Sequence, residues 1–154
     1  TFARARWTAP VALVLAAFAA PVAETWHAHP WGLSAYVPLV GGAPGAATLG
    51  LNRTFWGYTT GSVAPWLDAH APRNATIYIH DTAIQAWDML VRDGRIRRDL
   101  RAVPSIAGAS IGLYHHEMHM EGQEYQNWVA FGSDRPVVVA GPDGVPVILV
   151  YVRR

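Results

Sequence analysis

One apolar run near the start of the chain constrains the fold more than any other stretch. Residues 11–23 read VALVLAAFAAPVA and carry no charged or strongly polar side chain. A bilayer offers the backbone no hydrogen-bonding partner, so a segment that crosses it must be a helix with apolar side chains. The stretch from Trp7 to Trp26 has about the 20 residues that span a ~30 Å hydrocarbon layer, with a Trp near each interface. We therefore predict a transmembrane helix within residues 1–25.

The charges beside this run predict an orientation. Arg4 and Arg6 precede the run and Glu24 follows it. Basic residues tend to stay in the cytoplasm, which places the chain from about residue 24 onward on the other side. The expected location is a bacterial inner membrane, with the globular part in the periplasm. Two alternatives remain: a secretory signal peptide cleaved near residues 17–19, and a buried helix of a soluble protein.

Composition excludes several classes of protein. All 12 basic residues are Arg and the net charge is only +1, so no concentrated basic face favours a nucleic-acid partner. The arginines between residues 92 and 101 alternate with Asp93 and Asp99, which is typical of a solvated loop. The chain has no Cys, which excludes disulfides, thiolate metal sites and cysteine nucleophiles.

The remaining chain predicts a small α/β sandwich with a mixed sheet of four or five strands, flanked by helices. Residues 26–57 are rich in Gly, Pro and aromatic residues and form a connecting segment with short helical pieces, before a domain at 58–154. β-branched runs predict the strands, and apolar residues at helical spacing predict the helices. The predicted strands are 76–80, 100–103, 109–115, 136–140 and 145–152, and the predicted helices are 59–72, 83–92 and 125–131.

Finer features follow from individual residues. Asp143-Gly144 between the last two strands predicts a hairpin turn. Pro65 is tolerated only in the first turn of its helix. We expect Tyr125, Trp128 and Val129 to face inward from the last helix. Asp81 and Thr82 are expected to cap the helix at 83–92.

The connecting segment carries a pattern that resembles a known family. It reads HPWGLSAY at 29–36, LVGGAPGA at 39–46 and FWG at 55–57. This order and spacing resembles the end of large membrane glycosyltransferases with the GT-C architecture, relatives of protein O-mannosyltransferases and aminoarabinose transferases that use polyprenyl-phosphate-linked sugars. The closing residues 143–151 also resemble the last hairpin of their C-terminal domain.

The resemblance implies a role for the parent protein and not for these residues. In that family the pattern follows the last transmembrane helix and opens a small extracytoplasmic domain, whereas the catalytic carboxylate sits in the first extracytoplasmic loop. No position here corresponds to that carboxylate. We therefore expect no catalytic residue and no cofactor in this chain. The expected partners are the membrane, the transmembrane catalytic portion, and a lipid-linked sugar or glycan acceptor.

The densest polar cluster is His115-His116-Glu117-Met118-His119. If this stretch is helical, His115 and His119 share a face at a spacing that could hold a transition metal. It lacks the His-Glu-x-x-His order of zinc proteases and any third distant ligand that the sequence identifies. Two other interpretations are that the side chains fill the junction after a strand, or that they meet a sugar, a lipid or the catalytic portion.

Three further residues are candidates for binding. Trp31 and Trp56 could stack on the apolar face of a sugar, although most of seven Trp in a small domain should be core. Asp81 follows the first strand, where α/β sheets often place functional groups. The alternative function to the transferase domain is a free-standing, anchored or secreted envelope protein that binds a glycan or partner through Trp31, Trp56 and the histidines.

Overall fold

A long apolar helix precedes a mixed α/β unit in the computed structural model, which describes the backbone of residues 2–153 and the side chains of 8–153. The predicted fold class is confirmed, with a five-stranded mixed sheet in the order β2-β1-β3-β5-β4. The strands are β1 Thr76–Tyr78, β2 Arg101–Val103, β3 Ile111–His115, β4 Val138–Ala140 and β5 Ile148–Val152. The helices are α1 Phe2–Ala28, α2 Gly42–Thr48, α3 Thr60–His70, α4 Ile84–Arg92 and α5 Glu121–Phe131.

Helix α1 stands away from the rest of the protein. Its segment Thr8–Ala28 has a mean hydropathy of 1.5, and none of its apolar window is buried. It is long and apolar enough to cross a membrane, as an anchor or a signal sequence would be. It is not packed as the buried helix of a soluble protein, which was one of the two alternatives from the sequence. The side chains of Arg4, Arg6 and Trp7, on which the predicted orientation depends, lie outside the described residues.

The connecting segment folds into short pieces, as its Pro and Gly content predicts. Two 3₁₀ turns, Gly32–Ser34 and Pro38–Val40, precede α2. At the end of α1, His27 Nε2 lies 3.1 Å from Asp143 Oδ1 in the loop between β4 and β5. This contact links the helix to the sheet.

The sheet has a parallel half and an antiparallel half. β1 pairs in parallel with β2 on one side and β3 on the other. The predicted βα unit is β1 followed by α4, and β2 completes it as a βαβ unit. β5 runs antiparallel to both β3 and β4, with Val138 opposite Val150. The hairpin loop has Asp143 and Gly144 at φ 49° and 77°, conformations that Asp and Gly tolerate best.

The central strand β3 is buried on both faces. Ile111 and Leu113 join Leu67 of α3 and Trp87 of α4 in one core cluster. On the other face Tyr114 joins a second cluster with Phe131 of α5 and Tyr151 of β5. The structure is therefore helix on sheet on helix, with α3 and α4 on one side and α5 on the other.

The inward face of α5 was predicted correctly only for Trp128, which packs half-buried against the second core cluster. The helix begins at Glu121, and Tyr125 and Val129 point outward, 65% and 66% exposed. Asn127 and Phe131 are buried instead. Gly112 leaves a notch in β3 that the Phe131 ring fills, because a Cβ at Gly112 would lie 2.2 Å from Phe131 Cε2. This tertiary fit sets the rotation of the helix and overrides its own weak amphipathic pattern.

Pro65 lies beyond the first turn of α3, contrary to the prediction. Proline cannot donate to the carbonyl four residues earlier, which leaves Gly61 O without its helical partner. Arg95 fills that role, with Nη2 donating to Gly61 O at 3.1 Å. The proline is therefore tolerated because a side chain from after α4 replaces the missing hydrogen bond.

The arginine-rich loop is not merely solvated, contrary to the prediction, because Arg97 is half-buried and binds the backbone after α3. Its guanidinium donates to the carbonyls of Asp68, Ala71 and Pro72 at 2.6, 2.8 and 3.1 Å. It also pairs with Asp99 at 3.0 Å. It thereby satisfies carbonyls that the end of α3 leaves free.

We expect Arg97→Lys to destabilise the fold by about 1–2 kcal/mol, because a lysine cannot reproduce the planar fork of donors. Arg98→Lys is the matched control, since Arg98 is exposed and should cost close to nothing. The measurement is chemical denaturation of both variants in detergent micelles. Equal midpoints for the two variants would contradict this role for Arg97.

Candidate functional site

The sheet topology brings the carboxyl ends of β1 and β3 side by side. The chain leaves β1 toward β2 through α4 on one face, and leaves β3 toward the opposite edge through α5 on the other face. In α/β sheets, ligands bind where neighbouring connections diverge in this way. Five polar residues lie at or just after these two strand ends, and we name them the strand-end cluster: His80, Asp81, His115, Glu117 and His119.

His115, the last residue of β3, is fully buried. Its Nε2 lies 3.1 Å from Thr60 Oγ1 at the start of α3, and Thr60 Oγ1 donates to Gly57 O at 3.1 Å. Thr82 Oγ1 is hydrogen-bonded to the same threonine. Burial, with a smaller effect of His80, lowers the pKa of His115 to about 3, so the ring is neutral at physiological pH.

His80 is the residue that sequence reasoning missed. Its φ of 49° ends β1 two residues earlier than predicted and turns the ring onto His115. The two imidazoles stack with centroids 5.7 Å apart, and His80 Nδ1 accepts the backbone N–H of His115 at 3.1 Å. Burial lowers the pKa of His80 to about 4, while Asp81 opposes that shift and His119 adds to it. The β-branched run before it gave no sign of this turn.

Glu117 is a buried acid beside a second acid. Its side chain is 2% exposed, Asp81 lies next to its carboxyl group, and the Gly57 N–H is directed at it. Burial first, and then the charge of Asp81, raise the pKa of Glu117. Its Oε2 is 3.8 Å from Nδ1 of His119, whose side chain is 66% exposed. The site therefore favours the protonated form of Glu117.

Two sequence-based expectations about these residues are wrong. Neither Asp81 nor Thr82 caps α4, which begins after Ala83 without a side-chain cap. His115 and His119 do not share a helical face, because His115 ends a strand and His119 lies in the 3₁₀ turn Met118–Met120. Within the described residues, no group of three His, Asp or Glu side chains is placed to hold a metal ion.

The cluster contains hydrogen-bonding capacity that its neighbours do not use. Six buried side-chain N or O atoms in the described part of the chain lack a hydrogen-bond partner, and three belong to this cluster. They are His80 Nε2, His115 Nδ1 and Glu117 Oε1. Buried polar atoms are normally paired, so orphaned ones at a strand-end crevice are suited to a bound water or hydroxyl group.

The other candidate residues are placed differently. His116 is half-buried, its N–H donates to Val147 O at 2.9 Å, and its ring meets Tyr114 edge-on. Trp31 packs against the core. Trp56 is 78% exposed at φ 55° and directly precedes Gly57, whose backbone touches Asp81 and Thr82. Of the two tryptophans, Trp56 is thus the exposed one, and it adjoins Gly57 along the chain.

We expect Glu117→Gln to stabilise the protein increasingly as pH rises above 4.5. The fold favours the protonated acid, so its contribution is fully present below the ordinary pKa of 4.5 and is lost as pH rises through the elevated value. The measurement is the difference in unfolding free energy between variant and wild type at pH 5 and pH 8. The control is Glu121→Gln at an exposed position. A difference that does not change with pH would contradict the raised pKa.

Comparisons with protein-family models, with curated proteins and with solved structures found no match for this chain. Function therefore has to be inferred from the exposed helix, the sheet topology and the strand-end cluster.

Proposed function

We propose that this chain is the C-terminal extracytoplasmic domain, with its last membrane helix, of an integral membrane glycosyltransferase of the GT-C type that uses a polyprenyl-phosphate-linked sugar. The observation that carries the proposal is the exposed apolar helix α1, which leads into a small mixed α/β domain. The segment between them holds the pattern that resembles this family, at residues 29–57. The apolar helix supports membrane attachment, and the motif order supports the family.

In this proposal the domain performs no bond chemistry. It lies on the periplasmic side of a bacterial inner membrane, packs over the transmembrane catalytic portion and shapes the acceptor side. Its partners are the membrane, that catalytic portion, and the lipid-linked sugar or glycan acceptor. No cofactor is required of these residues.

A deletion in the parent protein tests this role. Removing residues 30–154 while retaining α1 should lower sugar transfer to the acceptor without abolishing binding of the lipid-linked donor. Transfer is measured in membranes normalised to the amount of parent protein present. Unchanged transfer together with an unchanged protein level would overturn the proposal.

A second variant separates a structural role from a catalytic one. Asp81→Asn combined with Glu117→Gln in the parent should leave transfer within a few-fold of wild type. Loss of a general acid or base typically costs about 10²–10⁴-fold in rate. A loss of that size, with the protein folded and present at its normal level, would place the reacting groups in this domain.

A second candidate function is glycan binding by a free-standing envelope protein. Two observations favour it: Trp56 is exposed, and the strand-end cluster has buried polar atoms without a partner. Saturation-transfer NMR with a neutral monosaccharide and an amino sugar would detect contact, and Trp56→Ala should remove it. Signals that Trp56→Ala leaves unchanged would exclude this site.

A further inference from the structure

The connecting segment exposes apolar side chains immediately after the apolar helix. Between the end of α1 at Ala28 and Gly57, seven large ones are more than one third exposed, and Leu39 reaches 96%. We name this set the apolar collar, and its members are Leu33, Val37, Leu39, Leu49, Leu51, Phe55 and Trp56. Large apolar patches mark contact with a partner or a membrane, and a segment that concentrates seven exposed apolar side chains is a candidate for such contact.

The collar also lacks charge. Between residues 26 and 57, Arg53 is the one Asp, Glu, Lys or Arg residue, and it is half-buried. From residue 58 onward, in contrast, acidic and basic residues recur throughout the sequence. A charge-poor surface is costly to expose to water and cheap to place against lipid.

Hydrogen bonds tie the segment to itself and to the domain. The Tyr36 hydroxyl donates to Asn52 O, and Asn52 Oδ1 accepts the N–H of Met118 at 3.0 Å. Ser34 Oγ lies 2.9 Å from the Tyr58 hydroxyl. Ser34, Tyr36 and Asn52 are thus buried or half-buried while the leucines of the collar are exposed, the reverse of a surface built for water.

We infer that the apolar collar lies in the interfacial layer of the bilayer that α1 enters, so that the domain rests on the lipid surface. This rests on the proposed membrane insertion of α1. Leu33 follows Ala28 by five residues, which limits it to ~18 Å from the end of the helix. Trp26 and Trp56 lie near the two ends of the segment and are 86% and 78% exposed, as aromatic residues in an interfacial belt would be.

The absence of Cys from the chain makes a direct test possible. The full chain is prepared with one cysteine at Leu39, Leu15 or Val137, spin-labelled, and reconstituted into phosphatidylcholine vesicles. Leu15 lies in α1, and Val137 is the matched control, an exposed apolar residue outside the collar. Collision rates with oxygen, which enters lipid, are compared with those of a water-soluble nickel complex. A Leu49 label provides a second collar position.

The expected result is a ratio of oxygen to nickel collisions several-fold higher at Leu39 and Leu49 than at Val137. A lipid-exposed Leu15 with collar labels that match Val137 would overturn the collar inference and leave the anchor intact. Collar labels hidden from both reagents would also overturn it, because a protein surface would then cover them. A water-exposed Leu15 would overturn the membrane insertion of α1, and with it the inference.

Discussion

Replacing Gly112 with alanine is expected to destabilise the domain by about 3 kcal/mol, near the upper end of the usual cost of overpacking a core. The added Cβ would lie 2.2 Å from Phe131 Cε2 and 3.0 Å from Asn127 Oδ1. Both partners are buried, so neither can move without disturbing the packing of α5 on β3. The measurement is the free energy of unfolding from denaturant titration in detergent.

Gly122→Ala is the matched control for this prediction. Gly122 is in the first turn of α5, and a Cβ there meets nothing within 4 Å. This substitution should be neutral or stabilising by ~0.5–1 kcal/mol, because alanine favours the helix. Adding Phe131→Leu to Gly112→Ala should recover part of the loss. If Gly112→Ala proves as stable as the control, then α5 does not pack in this notch.

Acidification is expected to produce the second large effect, through the two stacked histidines. The folded pKa values of His80 and His115, about 4 and about 3, lie below the ordinary 6.5. The fold therefore favours the neutral rings, and their contribution is fully present above pH 6.5 and is lost as pH falls toward 4. Each ring adds a slope of about 1.4 kcal/mol per pH unit across that window.

His80→Asn tests this slope with little backbone strain. Asparagine tolerates the left-handed conformation that His80 adopts, and its oxygen can accept the His115 N–H. The variant should lose about half of the pH dependence between pH 6.5 and 4, whereas Gly122→Ala, which removes no titratable group, should lose none. The raised pKa of Glu117 changes stability with pH in the opposite direction. The free energies of unfolding of the variants are therefore compared with that of the wild type at each pH. An undiminished slope in His80→Asn would contradict the lowered pKa of His80.

The parts of the fold that could be predicted were those with strong local signals. The apolar run specified α1, the Asp143-Gly144 turn specified the hairpin, and β-branched runs specified the buried strands. The local sequence pattern gave wrong predictions where a contact with a residue far along the chain determines the structure. Phe131 faces inward because Gly112 accommodates it, and Pro65 is tolerated because Arg95 reaches Gly61.

Sequence analysis identified only some residues of the candidate site. Asp81 and the cluster from His115 to His119 stood out as polar residues after predicted strands, yet their separation along the chain concealed that β1 and β3 are neighbours. His80 looked like part of a strand, because nothing local signals its positive φ. The strand order alone brings these residues together, and strand order cannot be read from periodicity.

The position of β5 has a consequence for how this domain is made. β5 is the last strand along the described chain, yet it lies between β3 and β4 inside the sheet. During synthesis, β3 therefore keeps an open edge until the final strand emerges and docks beside it. Premature termination before Ile148 would leave that edge free to pair with another molecule. Synthesis through β5 is therefore the step that covers the edge of β3 and removes it as a site for aggregation.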